Sequence, residues 1–330
     1  MKVNFLTSNP NLNSGSFRIW VHDLCSAFNE IGIESKIATK INQIDNDSDV
    51  IILCKSSYTL SSNVSKSFKG AKIGAINIDC RYYDENIDFV IVGSIEEYAS
   101  ISNYKNVFIF PLIERKFESK NLINHTDKKT FDVCFHGHYP HLFKFEPFVK
   151  RALERFDREI KPVNLRVITG NKNFNWQTGR PAVNIETYNY DDDFVEIVQS
   201  CDIGVVPNVC DMRILVKDLE KQISTDFGLY ETDYFLRMKN KTNPGRAYVF
   251  YQLGVPVVHD LSPSSFELMC KTGYNICGHD SNSYYREFIR LSNPDLRNKV
   301  ALKNKSVFEK YYDFKSHAKN LIQSIRKEVL

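Results

Sequence analysis

Short runs of apolar residues alternate with longer amphipathic segments from the first residues of the chain onward. Between the first two runs, Phe17, Trp20, Val21, Leu24 and Phe28 recur at helical spacing and predict a helix over about residues 16–31. Continuous apolar strands separated by helices indicate a parallel sheet that is covered on both faces. The runs that predict its strands are 3–6, 33–39, 49–54, 72–78, 89–92 and 107–110.

The alternation stops over a polar stretch at about residues 114–130, which predicts an interdomain linker, and then starts again. The last stretch, about 294–330, is charged and helical in pattern. We therefore expect two consecutive α/β domains and a helical tail, with ligands at the carboxyl ends of the strands, in the cleft between the domains. The second series predicts strands at 131–135, 165–169, 203–206 and 255–259, and helices at 145–157, 193–200, 247–253 and 264–272.

Composition narrows the function classes. Apolar residues make up 42% and charged residues 25% of the 330 residues, as in ordinary globular proteins. A net charge of +3 argues against a dedicated nucleic-acid-binding protein. None of the eight cysteines forms a C-x-x-C pair, so we expect reduced thiols and a cytoplasmic protein. The chain turns polar too early for a signal peptide, and no apolar run approaches the roughly 20 residues of a membrane span.

Two loops of the first domain carry candidate chemistry. Gly15 and Ser16 follow the first strand; they either contact a phosphate or substrate, or only begin the helix. This loop lacks the G-x-G-x-x-G fingerprint, which disfavours a dinucleotide site. Asp79 follows the fourth strand and is either a general base that Arg81 keeps ionised, or the cap of a turn.

The first loop of the second domain contains three histidines and a lysine. His136, His138 and His141 invite a metal interpretation, but no carboxylate or cysteine completes an obvious ligand set. Gly137, ahead of a helix that carries Lys144 in its first turns, favours a phosphate instead. We therefore expect Gly137, His138 and Lys144 to contact a phosphorylated ligand.

The segment 187–193 combines aromatic and acidic residues. Tyr188 and Tyr190 are of a type that stacks on a nucleobase. The acidic triplet 191–193 either binds a metal–diphosphate or, as we prefer, favours the N-terminus of the following helix electrostatically. The irregular stretch 208–240 either shapes the ligand cleft or is a surface insertion.

The segment 241–258 reads as a polar loop, a helix start, a short helix, a Gly-Val-Pro turn and a buried strand. Lys241, Asn243 and Gly245 lead into Arg246, which falls in the first turn of that helix. A helix N-terminus offers N–H groups and a partial positive charge, and arginine adds a forked donor. The alternative is an ordinary helix start with a solvated arginine. We expect a phosphate site here.

The segments 131–137, 201–207 and 243–258 together resemble the GT-B glycosyltransferases, and the last is similar to sugar transferases of bacterial surface polysaccharides. The resemblance implies two Rossmann-like domains whose parallel sheets face each other across a cleft. It implies that residues 1–115 bind the acceptor, that residues 131–305 bind a nucleotide-sugar, and that a C-terminal helix, 306–330, crosses back to the first domain.

A more distant resemblance is to the inverting DNA β-glucosyltransferases of phages. It implies that Asp79, in the sequence Ile-Asp-Cys-Arg, is the catalytic base. It also implies that the loop 132–137, Lys144 and Arg246 bind the donor phosphates. The carboxylate that commonly holds the donor ribose in GT-B enzymes would fall near Val249 and is missing, so either ribose recognition comes from elsewhere or the donor is unusual.

These resemblances imply a metal-independent, inverting hexosyltransferase without a cofactor. Its partners would be a nucleotide-sugar donor and a glycan or glycolipid acceptor in cell-surface polysaccharide synthesis. Nucleic acid is not expected as a partner, and peripheral contact with the inner face of the membrane is left open. Three alternatives also stay open: a phage-type DNA glycosyltransferase, a nucleotide-sugar epimerase of the same fold, and a non-catalytic nucleotide-sugar-binding protein.

Overall fold

The computed structural model describes residues 1–78, 82–101, 103–176, 179–208 and 244–330. The described residues form two compact units. The first unit combines Met1–Arg115 with Tyr312–Leu330, and the second comprises the described residues between them. Within the described part of the chain, no helix is both long enough and apolar enough to cross a membrane.

The first unit is built on a sheet of six parallel strands in the order β2-β1-β3-β4-β5-β6. Its central strand β3 is buried along its whole length, as expected for a β-branched apolar run between covered faces. The strands are β1 (Lys2–Leu6), β2 (Glu34–Ala38), β3 (Val50–Cys54), β4 (Lys72–Ile76), β5 (Phe89–Val92) and β6 (Val107–Ile109).

The helices of the first unit cover this sheet. The helical segment after β1 runs through Gly15–Phe17, a π-helical stretch Arg18–Asp23, and Leu24–Glu30. The tail of the chain adds a last helix, whose Phe314 packs edge-on against Phe110 with ring centroids 5.1 Å apart. This last helix spans Phe314–Glu328, and the other described α-helices of this unit are Ser61–Ser67 and Ile95–Ser100.

The second unit is built on five parallel strands in the order β11-β10-β7-β8-β9. The strands are β7 (Phe131–His136), β8 (Val163–Thr169), β9 (Asn184–Asn189), β10 (Ile203–Val206) and β11 (Val257–His259). The described α-helices are Phe148–Glu159, Phe194–Gln199, Gly245–Leu253, Pro263–Thr272, Ser281–Leu291 and Pro294–Tyr311.

A glycine in β10 brings one of these helices close to the sheet. A Cβ atom on Gly204 would lie 2.5 Å from the ring of Phe250, closer than real side chains approach. Phe250 belongs to the Gly245–Leu253 helix and is fully buried. The bare backbone of Gly204 therefore lets this helix lie close against the sheet, with its first turn beside the carboxyl end of β7.

The predicted arrangement of two parallel α/β sheets is confirmed, with three local differences. The helix expected at 145–157 spans Phe148–Glu159 and follows a 3₁₀ helix, Tyr139–Phe145. The strand β9 was not predicted because its sequence is polar and it lies at the sheet edge. From Lys116 onward, the expected linker 114–130 is part of the second unit, where the His125 imidazole contacts the Gly254 carbonyl at 3.0 Å.

Candidate functional site

Three consecutive residues at the end of β7 contact Arg246. The Nε2–H of His136 donates to the Arg246 carbonyl at 3.1 Å, which ties the first turn of the Gly245–Leu253 helix to the sheet. The Arg246 guanidinium lies over the Phe135 ring, 5.4 Å from its centroid. Gly137 has φ of +147°, and a Cβ there would lie 3.2 Å from Arg246 Cδ. The end of β7 therefore fixes both the backbone and the side chain of this arginine.

The Arg246 guanidinium is a cation without a counter-ion among the described residues. Its Nη1 atom is enclosed and has no hydrogen-bond partner, and no described carboxylate forms an ion pair with it. Burial lowers the pKa of Arg246 to about 10. A buried donor without an acceptor costs free energy, so an incoming anion would satisfy both the charge and the open donor.

A second cation lies near the first. Lys144 is buried in the last turn of the Tyr139–Phe145 3₁₀ helix, and its Nζ donates to Asn208 Oδ1 at 2.8 Å. The expectation that it would occupy the first turns of an α-helix is therefore wrong. Burial, followed by the charges of Arg246, Lys144 and His138, lowers the pKa of His141 to about 4. Arg246 and Lys144 therefore both act on the same small region.

The three histidines of this loop do not converge on a common point. His136 is buried and bonded to a carbonyl, and burial is the main cause that lowers its pKa to about 3. His138 is exposed and lies 6.3 Å from the His141 ring. Among the described residues, no group of three or more His, Cys, Asp or Glu side chains is arranged to hold a metal ion. His136 acts instead as a neutral positioning residue for Arg246.

The two tyrosines of the predicted base-stacking segment differ in their contacts. The Tyr188 hydroxyl donates to Glu186 at 2.7 Å, within β9. Tyr190 is 39% exposed and lies within electrostatic range of Arg246. Its ring is 6.2 Å from Phe194, which in turn packs edge-on against His136. Tyr190 is therefore the tyrosine that the structure brings close to Arg246.

A recess of about 710 Å³ adjoins this region on the outer side of Phe194. Phe194 stacks on Phe117 with centroids 5.3 Å apart, and Lys116 lies over both rings. The acidic triplet also reaches this recess through Asp192 and Asp193. Arg246 and Lys144 do not line it, so the anion site and this recess are separate features of the second unit.

The start of the Gly245–Leu253 helix matches its prediction as far as it is described. Pro244 holds the N-cap position and Arg246 lies in the first turn. The first N–H groups of a helix have no acceptor inside the helix, which is why its N-terminus attracts anions. Lys241 and Asn243 lie outside the described residues.

In the first unit, a polar cluster follows β1 and β3. Ser14 occupies the N-cap position but makes no side-chain capping bond. Its hydroxyl instead lies 3.2 Å from the Ser16 hydroxyl and accepts from Lys55 Nζ at 3.0 Å. Gly15 has room for a larger side chain, with no atom closer than 3.7 Å to a Cβ built there. The Ser14 side chain therefore contacts Lys55 and Ser16 instead of capping the helix. Asp79, the predicted base, lies outside the described residues.

Sequence reasoning did not anticipate the contacts that three residues make in this arrangement. Phe135 and His136 form part of a strand, and their contacts with Arg246 join positions more than a hundred residues apart. Asn208 binds Lys144 across 64 positions. The apolar pattern gives no signal for such contacts, although each of the three lies at or just after the carboxyl end of a buried strand.

Comparison with known proteins gives structural but no sequence relatives. No family model matches the chain, and no curated protein matches its sequence. Sucrose-phosphate synthase from Thermosynechococcus elongatus is similar over 99% of this chain and 98% of its own, with 10% identity and a TM-score of 0.66.

Two further structures are β-glucosyltransferases. T4 phage BGT in complex with UDP and Mn²⁺ is similar over 98% of this chain and 99% of its own, with 13% identity and a TM-score of 0.59. The DNA-modifying enzyme β-glucosyltransferase was studied with and without its substrate uridine diphosphoglucose. It is similar over 99% of this chain and 100% of its own, with 14% identity and a TM-score of 0.57. These similarities show that the chain has the GT-B fold, as predicted.

Proposed function

We propose that this protein is a glycosyltransferase that moves a sugar from a nucleotide-sugar to a hydroxyl group of a glycan or glycolipid. The observation that carries the proposal is the enclosed Arg246 guanidinium, which lies at the carboxyl edge of a parallel sheet without a counter-ion among the described residues. A diphosphate supplies the missing charge and accepts from its open donor. The GT-B fold of nucleotide-sugar enzymes such as the β-glucosyltransferase supports this choice of anion.

In the proposed reaction, Asp79 accepts the proton of the acceptor hydroxyl as the oxygen attacks the anomeric carbon of the donor sugar. The bond from that carbon to the phosphate oxygen breaks, and the nucleoside diphosphate leaves with the bonding electrons. Arg246, Lys144 and the N-terminus of the Gly245–Leu253 helix stabilise the charge that develops on the leaving phosphate. Attack opposite the leaving group makes the transfer inverting.

The proposal assigns each half of the chain a role. Residues 1–115 bind the acceptor, residues 131–305 bind the donor, and the tail 306–330 completes the acceptor domain. Val249 is buried and apolar, so the donor ribose is recognised elsewhere. The donor-binding residues are Gly15, Ser16, Gly137, His138, Lys144, Tyr188, Tyr190, Lys241, Asn243, Gly245 and Arg246.

We further propose that transfer needs neither a divalent metal nor a cofactor, because two cations and a helix N-terminus serve the leaving group. T4 phage BGT was studied with Mn²⁺, so this point needs its own test. Turnover that persists in EDTA supports metal independence, and turnover restored only by Mn²⁺ or Mg²⁺ contradicts it. A cytoplasmic location, at or near the inner face of the membrane, and a role in surface polysaccharide synthesis complete the proposal.

The test begins with the donor. A thermal-shift screen of nucleotides and nucleotide-sugars identifies a ligand that stabilises the native state. With that donor and a mixture of glycan acceptors, Asp79→Asn should abolish nucleoside diphosphate release while donor affinity stays within about twofold of wild type. Asp47→Asn, which changes a carboxylate that is 74% exposed in the same unit, is the matched control. Normal turnover by Asp79→Asn would show that the base is another residue.

A second candidate, a DNA glycosyltransferase, is favoured by the similarity to the DNA-modifying β-glucosyltransferase. It predicts a duplex-DNA affinity that falls steeply with salt, because phosphate contacts release counterions. The balance of 43 basic and 40 acidic residues gives little support to such binding. Transfer to duplex DNA with the identified donor, and none to glycans, would decide for this candidate.

A further inference from the structure

Two pairs of tyrosine rings in the first unit are linked through one aspartate, Asp84. The rings of Tyr58 and Tyr82 lie 4.6 Å apart, and those of Tyr83 and Tyr104 lie 5.3 Å apart. The Tyr82 hydroxyl donates to Asp84 Oδ2 at 3.0 Å, and the Tyr104 hydroxyl accepts from the Asp84 N–H at 3.0 Å. One residue thus holds both ring pairs. We call these four side chains the tyrosine platform.

Asp84 is itself held firmly. Its carboxylate accepts from the Ser61 hydroxyl and from the backbone and side-chain amides of Asn86. Burial acts to raise the pKa of Asp84, but these bonds and the Tyr82 hydroxyl outweigh it and lower the pKa below the ordinary value. Asp84 therefore stays ionised at neutral pH, and the rings it holds are fixed before any ligand binds.

The platform has one face open to solvent. Tyr58 and Tyr82 pack against the core of the first unit, whereas Tyr83 is 59% exposed. Packing alone gives little reason for a fixed aromatic ring to be so exposed. Aromatic faces bind the C–H-rich faces of sugar rings as well as nucleobases, so an open and preorganised ring is suited to a flat ligand.

Chain length and charge define that ligand further. Tyr82 is three residues from Asp79 in the sequence, so their Cα atoms are at most about 11 Å apart, which is the length of about two sugar units. Residues 79–86 include three carboxylates and one arginine in the sequence, and this negative balance disfavours a polyanion as ligand. These are the properties of a subsite for an uncharged oligosaccharide whose reacting end lies at the base.

We infer that the tyrosine platform binds uncharged sugar units of the acceptor, one to two units away from the hydroxyl that reacts. This inference rests on the proposed transferase function and adds the acceptor class and its length dependence. It predicts that a neutral tetrasaccharide binds better than the corresponding monosaccharide, and that the difference depends on the Tyr83 ring.

Saturation-transfer NMR tests this on the full chain, with maltotetraose, cellotetraose and chitotetraose and their monosaccharides as probes. Tyr83→Ala should weaken tetrasaccharide binding about tenfold and leave monosaccharide binding unchanged. Tyr83→Phe, which keeps the ring, should bind as wild type. Tyr98→Ala removes a tyrosine that is 49% exposed on the Ile95–Ser100 helix and is the matched control.

Three results would overturn the inference. The first is that no neutral tetrasaccharide binds at 10 mM. The second is that wild type and Tyr83→Ala bind the tetrasaccharide equally well. The third is that a heparin tetrasaccharide or a short DNA duplex binds more tightly than the neutral tetrasaccharides. Donor affinity, measured separately on the same variants, should not change. A protein that binds the tetrasaccharide through Tyr83 but no nucleotide-sugar would contradict the proposed transferase and not the platform.

Discussion

Replacing Arg246 by methionine should stabilise the unliganded protein while it removes donor binding. The pKa of this guanidinium falls from 12.5 to about 10 because burial strips it of water. At 1.36 kcal/mol per pKa unit, the charge costs the folded state about 3 kcal/mol at any pH below 10. The residue keeps some exposure, so we expect a net gain of about 1–2 kcal/mol when an apolar chain of similar length takes its place.

Differential scanning fluorimetry measures this directly. A gain of that size raises the melting temperature of a unit of 150–250 residues by about 2–8 °C. A donor nucleotide should raise the melting temperature of wild type but not of Arg246→Met, and affinity should fall at least about a hundredfold, since charge-assisted bonds contribute about 1.5–3 kcal/mol each.

Arg151→Met, at an exposed position on the Phe148–Glu159 helix, provides the control and should change neither quantity. The reasoning fails if Arg246→Met melts below wild type and still binds the donor. That outcome would mean that the guanidinium is a structural element with a partner, and that the anion binds elsewhere.

Two further predictions concern the neighbours of this arginine and the buried histidines. Gly137→Ala should lower donor affinity by about tenfold and the free energy of unfolding by about 1–3 kcal/mol. The reason is that φ is +147° at this position and that a Cβ would press on Arg246 Cδ. Calorimetric titration measures the affinity, and urea unfolding measures the stability. The pKa values of His136 and His259 are lowered by burial to about 3 and about 4, so the unfolded chain binds more protons than the folded one below pH 6.5. The contribution of these two neutral histidines to the free energy of unfolding is therefore complete above pH 6.5 and is lost as the pH falls towards 4. By pH 5, each histidine lowers the free energy of unfolding by up to about 2 kcal/mol. Urea unfolding at pH 7, 6 and 5 gives the free energy of unfolding at each pH. This free energy should fall less steeply with decreasing pH in His259→Phe than in wild type, and an unchanged pH dependence would refute the assignment.

Much of the fold follows from the apolar pattern. Strands such as β3 and β10 are buried throughout, and their sequences, Val-Ile-Ile-Leu-Cys and Ile-Gly-Val-Val, leave little choice of structure. The edge strand β9, Asn-Ile-Glu-Thr-Tyr-Asn, has no fully buried position and could not be recognised in this way. Its pairing with β8 comes from the backbone, and a sequence pattern of side chains does not report backbone pairing.

For the candidate anion site, the sequence indicated the residue types but not their arrangement. A glycine-containing strand end and an arginine in a helix start indicate an anion site, and the structure brings Gly137 and Arg246 together. The histidines show the limit of this reasoning. The spacing of the histidines invited a metal interpretation for His136, whereas in the fold its imidazole contacts the backbone carbonyl of Arg246, 110 positions away.

The missing ribose carboxylate and the uncompensated arginine lead to the same conclusion about the donor. In the proposed transferase, an apolar Val249 stands where GT-B enzymes commonly have an acidic side chain, and Arg246 is the one charged residue of the Gly245–Leu253 helix, so we expect the phosphates to supply most of the binding free energy. Arg246 is suited to this task because its cost in the free protein is recovered only when an anion arrives. Binding and catalysis then depend on the same group, since the charge that holds the diphosphate in the ground state grows on it as the sugar leaves. Such a site discriminates strongly between a diphosphate and an uncharged ligand, and weakly between one nucleoside and another.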